Sequence, residues 1–97
     1  MPAQQAPAQE TTDKERLTPL YNVVLLDDDG HTYGYVIEML MRLFLMSEFE
    51  AYRHAEEVDL TGRTIVITCE LPQAEFGRDQ IRGYSPDPMA AIVEPAA

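Results

Sequence analysis

Apolar and polar residues follow one another in blocks along this chain of 97 residues, and the spacing within each block predicts its secondary structure. Residues 20–26, LYNVVLL, are apolar and rich in β-branched side chains, which is typical of a central strand. Residues 31–46 follow with apolar side chains at helical spacing. Ser47 and Glu50 have the spacing of a capping box, so they predict a second helix, which should end by Leu60.

Three further elements complete the pattern. Residues 63–70, RTIVITCE, read as a strand, and residues 71–84 as a helix with Pro72 in its first turn. Residues 89–94, MAAIVE, predict a short closing strand. The order β-α-α-β-α-β predicts an α+β sandwich, in which the helices pack on one small sheet.

Two groups of side chains are predicted to be buried. In the second helix Phe49, Tyr52 and Ala55 share one face, which we expect to contact the core. Cys69 lies inside an apolar run, so its thiol is expected to be buried, and a single cysteine excludes a disulfide within the chain.

The chain length and its local composition predict one folded domain with two tails. Residues 1–19 contain few large apolar side chains and are expected to form a flexible extension, followed by a domain of residues 20–94 and a tail of residues 95–97. No apolar run approaches the roughly 20 residues that a membrane span needs, and no secretory signal is visible. We therefore expect a soluble, cytoplasmic protein, and a monomer.

The charge balance restricts the partners. The net charge is −10, and residues 20–97 contain fourteen Asp or Glu against five Arg and no Lys. Such a surface repels phosphate, so the charge balance argues against nucleic acid as a partner. A cationic ligand, or a protein with a basic patch, is favoured.

Three consecutive carboxylates, Asp27, Asp28 and Asp29, follow the first strand. Counted from Asp27, a calcium-binding EF-hand loop would place a glycine at the sixth position, where this chain has Thr32, and a helix rather than a strand before the loop. An exposed turn is the simplest alternative, because Asp readily accepts hydrogen bonds from its own backbone. A turn needs only one such residue, however, and three carboxylates repel each other unless a positive charge joins them.

A hydrolytic centre is the remaining possibility for the acidic turn. The chain has two histidines, His31 in the turn and His54 on the second helix, where we expect a surface position. It lacks the nucleophile, zinc and phosphate-binding motifs of the common hydrolases. The sequence therefore predicts no enzyme, no cofactor and no metal site.

Two segments of the chain resemble ClpS, the adaptor of the Clp ATP-dependent protease: residues 21–44, YNVVLLDDDGHTYGYVIEMLMRLF, and residues 56–67, EEVDLTGRTIVI. The resemblance extends from about Leu20 to Glu94, and the order of elements agrees with it. It implies a non-enzymatic adaptor that binds the first residue of a substrate with a large hydrophobic side chain. Such an adaptor delivers its substrate, an N-degron protein, to the N-terminal domain of a Clp AAA+ unfoldase.

The resemblance also implies the site residues. The α-amino group would be held by Asp27, Asp28 and Asp59, although the family usually has Asn at the first of these positions and His at the last. The first side chain would enter a pocket formed by Asp29, His31, Tyr33, Val36, Ala55, Val58 and Met89. Tyr33 stands where a gating Met is common in the family, and Ala55 where another Met lines the pocket. Glu75 and Arg78 are candidates for contact with the unfoldase.

The departures from the family pattern leave a second interpretation open. A ClpS-like interaction module could regulate an unfoldase, or another partner, without reading N-termini. Binding of peptides that differ only in their first residue would distinguish it from an N-degron adaptor.

Overall fold

The computed structural model describes residues 18–28 and 30–97, so residues 1–17 of the predicted extension and Asp29 lie outside the described residues. The elements are β1 (Tyr21–Leu26), α1 (Tyr33–Phe44), α2 (Glu48–Thr61), β2 (Arg63–Cys69), α3 (Leu71–Arg82) and β3 (Ala91–Pro95). The predicted order β-α-α-β-α-β and the α+β class are confirmed. Within the described residues, no helix has the length and apolar character needed to cross a membrane.

The three strands form an antiparallel sheet in the order β2-β1-β3. β1 is therefore the central strand, as its apolar sequence predicted, and Val23, Val24 and Leu25 are fully buried. The register between β1 and β2 shifts between Val23 and Val24. At the last residue of β1, the Leu26 amide donates a hydrogen bond to the carbonyl oxygen of Ala90, which precedes β3, at 3.0 Å.

Small and medium side chains form the contact faces of the helices. The buried residues are Val36, Met39 and Leu40 in α1, Ala51, Ala55 and Val58 in α2, and Ala74, Gly77 and Ile81 in α3. Gly77 lies against α1 and the sheet, since a Cβ atom there would be 3.2 Å from Phe44 Cε1 and 3.4 Å from Ile67 Cδ1. The close approach of α3 accounts for a glycine inside a helix, where it is otherwise unfavourable by about 1 kcal/mol relative to alanine.

The helix ends follow the capping chemistry of the sequence. Thr32 Oγ1 accepts a hydrogen bond from the Tyr35 amide at 3.2 Å, which caps α1. The predicted capping box of α2 is confirmed, because Ser47 accepts from the Glu50 amide while the Glu50 side chain accepts from the Ser47 amide. Gly62 ends α2 in the left-handed conformation with φ 90°.

The predicted buried face of α2 is wrong for its aromatic residues. Phe49 is 69% exposed and Tyr52 is 43% exposed, whereas Ala55 lies in the core as expected. The helix packs through the small side chains of Ala51 and Ala55 instead, which lets its axis approach α1 and β2 closely.

Two smaller predictions also need correction. Cys69 is half-buried rather than buried, and burial raises the pKa of its thiol. The last strand begins at Ala91, two residues later than predicted, and it includes Pro95, which was assigned to the tail. Pro95 is tolerated because it lies at the end of a strand that pairs on one side only, with β1.

Candidate functional site

The acidic turn leaves the sheet at the end of β1 and is tied to the end of α2. The Asp27 amide donates to the Gly62 carbonyl oxygen at 3.0 Å, and the Asp27 side chain is exposed. Asp28 Oδ1 accepts from the Gly30 amide at 3.0 Å and also contacts His31 Nδ1. Asp28 thus has the local turn bonding that the simplest interpretation predicted.

His31 links this turn to a distant loop. Its ring is buried, and Nε2 lies 2.9 Å from the Asp87 carbonyl oxygen and 3.3 Å from the Asp87 carboxylate. The protonated imidazolium satisfies both contacts, because it donates from both ring nitrogens while a carbonyl and an ionised carboxylate can only accept. Burial lowers the pKa of His31, but the hydrogen bond with Asp28 and the contacts with Asp87 outweigh it and leave the pKa above its usual value.

Tyr35 fastens the same loop to α1. Its hydroxyl donates to the Asp87 carbonyl oxygen at 2.7 Å and accepts from the Asp87 amide at 3.1 Å. The Tyr35 ring also packs on His31, with ring centroids 5.0 Å apart, and on Tyr84 at 5.7 Å. These contacts hold residues 84–89 in place, and so they position Met89.

A hollow of about 20 Å³ lies between the acidic turn, α1 and α2, and we call it the acidic hollow. Its apolar walls are Val36, Ala55, Val58 and Met89, which are all buried. Two exposed carboxylates lie on its rim, Asp27 from the acidic turn and Asp59 from α2. The remaining lining residues are His31, Thr32 and Tyr33.

The structure thus brings together eight of the residues singled out from the sequence: Asp27, Asp59, His31, Tyr33, Val36, Ala55, Val58 and Met89. Asp28 does not line the hollow, but it contacts His31, which does. Asp29 lies outside the described residues. Glu75 is exposed on α3, Arg78 Nε donates to Asp79 Oδ1 at 2.9 Å, and neither residue lines the hollow.

Tyr33 and Asp59 are joined across the hollow. The Tyr33 hydroxyl donates to Asp59 Oδ2 at 3.0 Å, which links the first residue of α1 to the last turn of α2. The Tyr33 ring also packs on Tyr52, with centroids 5.8 Å apart and planes at 58°.

Sequence reasoning missed the residues that support the site from a distance. Thr32, Tyr35 and Asp87 were not predicted as site residues. Asp87 lies in the segment SPDP, whose two prolines are typical of a turn, but its partner His31 is 56 residues earlier in the chain. His54, predicted at the surface, is half-buried, and its Nδ1 lies 2.8 Å from Thr64 Oγ1.

Two larger hollows lie elsewhere on the surface. One of about 530 Å³ follows the outer side of α2, and one of about 470 Å³ lies beside the start of β1. The first is lined mainly by charged side chains that water also solvates, and the second is shaped by Leu20, Cys69 and polar neighbours. Of these three hollows of the described residues, the acidic hollow is the one that combines buried apolar walls with two carboxylates on its rim, so it remains the candidate site. In residues 18–28 and 30–97, no group of three or more His, Cys, Asp or Glu side chains could hold a metal ion.

Comparison with known proteins identifies the family of this fold. The family described as ATP-dependent Clp protease adaptor protein ClpS matches residues 16–89. The chain belongs to the ClpS family. A ClpS adapter of Synechococcus elongatus is 31% identical over 87 residues, which cover 89% of this chain and 88% of the relative. A ClpS adapter of Nautilia profundicola is 34% identical over 89 residues, covering 84% of this chain and 89% of the relative.

A solved ClpS structure supports the same assignment. Agrobacterium tumefaciens ClpS2 bound to L-phenylalaninamide matches with a TM-score of 0.73 and 29% identity, covering 79% of this chain and 96% of the other. The resemblance expected from the sequence is therefore confirmed, and the chain is a ClpS adaptor of the Clp protease by family. One similar ClpS adapter, from Arabidopsis thaliana, is chloroplastic.

Proposed function

We propose that this ClpS-family chain is an N-degron adaptor. It binds the free α-amino group and the large hydrophobic first side chain of a substrate protein, and it delivers that substrate to the N-terminal domain of a Clp AAA+ unfoldase. The observation that carries the proposal is the meeting of Asp27 and Asp59 with four buried apolar walls at the acidic hollow. We expect a monomeric, cytoplasmic protein that performs no catalysis.

The chemistry of a protein N-terminus fits this arrangement. An α-amino group has a pKa of about 7.7–8.0, so it is mostly a cation at neutral pH and offers three N–H donors. Each hydrogen bond from it to a carboxylate contributes about 1.5–3 kcal/mol. Burial of a Leu or Phe side chain adds about 1.5–3 kcal/mol, and micromolar affinity requires about 8 kcal/mol in total.

The ligand of the structural relative supports the same chemistry. L-Phenylalaninamide, bound to Agrobacterium tumefaciens ClpS2, carries a free α-amino group and an aromatic side chain. In this chain Asp27 replaces the usual Asn and Asp59 the usual His, so the rim offers two negative acceptors. Both exchanges increase the attraction for a cation, while a hydrogen bond that an Asn amide could donate to the substrate backbone is lost.

A titration with matched peptides tests the proposal. A fluorescent peptide that begins with Phe should bind, whereas its N-acetylated twin and peptides that begin with Ser or Lys should not. Asp59→Asn removes the charge but keeps the shape, so we expect affinity for the Phe-first peptide to fall about 10- to 150-fold. Binding should also weaken above about pH 8, as the peptide amine loses its proton.

The matched control is Glu38→Gln, which removes the same charge from an exposed position on α1 outside the hollow's lining. Screening over about 8 Å at physiological salt should leave its affinity within twofold of wild type. Equal binding of free and acetylated peptides would reject N-terminus recognition. That result would favour the second candidate, a ClpS-fold interaction module, which agrees with the small volume of the hollow.

A further inference from the structure

The hydrogen bond between Tyr33 and Asp59 involves two residues that both line the acidic hollow. Asp59 is the carboxylate to which the proposed function assigns the incoming ammonium group. One of its two oxygens, Oδ2, therefore already accepts a hydrogen bond from the tyrosine hydroxyl.

The hollow is too small to hold a large side chain as it stands. A volume of about 20 Å³ holds roughly one water molecule. The side chain of Leu or Phe cannot enter unless part of the wall moves aside. Entry of the side chain therefore depends on the wall residue that is held least firmly.

Most of the wall is fixed by packing or by hydrogen bonds. Val36, Ala55, Val58 and Met89 are buried in the core, and His31 contacts Asp28 and Asp87 on either side. Tyr33 differs, since it is half-buried at the first position of α1. The interactions that hold its outer end are the bond to Asp59 and the ring contact with Tyr52.

We propose that Tyr33 and Asp59 form a latch that closes the acidic hollow. The N-terminus of an arriving substrate opens this latch. The ring of Tyr33 turns outward, the first side chain of the ligand enters, and the ligand ammonium takes the Asp59 oxygen that the tyrosine hydroxyl has left. This inference rests on the proposed function and adds the hydrogen bond between Tyr33 and Asp59, which has to break before the site can be filled. Opening and ammonium binding are coupled because they use the same carboxylate.

The chemistry of the pair agrees with a closed latch. Partial burial raises the pKa of the Tyr33 phenol above its usual value, and the hydrogen bond to Asp59 and the charges of Asp59 and Glu56 raise it further. A phenol that stays protonated donates to Asp59 across the whole range in which a peptide amine is charged.

Removal of one oxygen atom tests the latch. Tyr33→Phe keeps the ring and the wall but removes the hydrogen bond. Because less free energy is then needed to open the latch, the Phe-first peptide should bind about 2- to 12-fold more tightly. Its association rate should rise as well. If the hydroxyl instead orients Asp59 for the ligand, affinity will fall, and if Tyr33 is only a wall, affinity will not change; either result overturns the latch.

Tyr52→Phe is the control, because it removes the same hydroxyl from the neighbouring ring and should change affinity by less than twofold. An equal gain in both variants would also overturn the latch, since it would reflect only the loss of a surface hydroxyl. Thermal unfolding of both variants checks that the fold is retained.

A measurement without ligand separates the latch from the proposed function. The phenol titration of Tyr33, followed by NMR of the ring carbon that bears the hydroxyl, should shift to lower pH in Asp59→Asn. If it shifts but wild type binds acetylated and free peptides equally, the closed pair exists and N-terminus recognition fails. If free peptides are selected but neither the titration nor Tyr33→Phe has an effect, the adaptor function stands and the latch is rejected.

Discussion

Gly62 connects the stability of the domain to the geometry of the acidic turn. It ends α2 with φ 90° and ψ −8°, its amide donates to the Val58 carbonyl oxygen at 2.9 Å, and its carbonyl accepts from Asp27 at 3.0 Å. Gly62→Ala would place a Cβ atom in open space, because no described atom lies within 4 Å of that position. The variant therefore loses free energy of unfolding only through backbone conformation, by about 1–2 kcal/mol for a residue other than glycine in the left-handed region.

The matched control is Gly34→Ala. Gly34 lies in the first turn of α1 without a positive φ, and a Cβ atom there would be 4.0 Å from its nearest neighbour, Thr32 Oγ1. The same added methyl group should stabilise the protein by about 0.5–1 kcal/mol through helix propensity. The two variants should therefore differ by about 2 kcal/mol.

Urea unfolding followed by far-UV circular dichroism measures this difference. With a typical slope of about 1–3 kcal/mol per molar urea, the two midpoints should lie about 1 M apart. Gly62→Asn should recover part of the loss, because Asn tolerates the left-handed region better than Ala. A Gly62→Ala variant as stable as wild type would refute the strain argument and the conformation assigned to this turn.

Three further predictions concern the support of the site and the core. The raised pKa of His31 means that its contribution to stability is fully present below its unfolded pKa of about 6.5 and is lost as the pH rises through the folded value. His31→Gln, which loses the contacts to Asp28 and Asp87, should therefore reduce the free energy of unfolding more at pH 5.5 than at pH 9, and an equal loss at both would contradict it. Gly77→Val should destabilise by about 1–3 kcal/mol in the same urea assay, since its side chain would meet the Phe44 ring. Ser47→Ala should cost about 1 kcal/mol by loss of the capping box, and a thermal midpoint within 1 °C of wild type would contradict this.

The sequence predicted those parts of the fold that depend on local chemistry. The capping box at Ser47 requires residues only three positions apart, and the burial of β1 follows from its run of apolar side chains. The buried face of α2 was predicted wrongly, because periodicity favours the large rings of Phe49 and Tyr52 while the helix packs through alanines.

The residues of the candidate site came from the family resemblance, but their contacts did not. The bond from Tyr33 to Asp59 joins residues 26 positions apart, and the contact from His31 to Asp87 joins residues 56 positions apart. Such pairings depend on how the helices and the loop meet in three dimensions. No spacing rule within one element predicts them.

The order of the strands has a consequence for the synthesis of this protein. The middle strand of the sheet is the first to be made, and its two neighbours are residues 63–69 and 91–95. While a ribosome is still translating the segment before Ala91, one side of β1 has no strand to pair with, and its amide and carbonyl groups remain available to other chains. We therefore expect the domain to reach its native state after translation of its last strand rather than during elongation, and a nascent chain stalled before that point to need protection from aggregation.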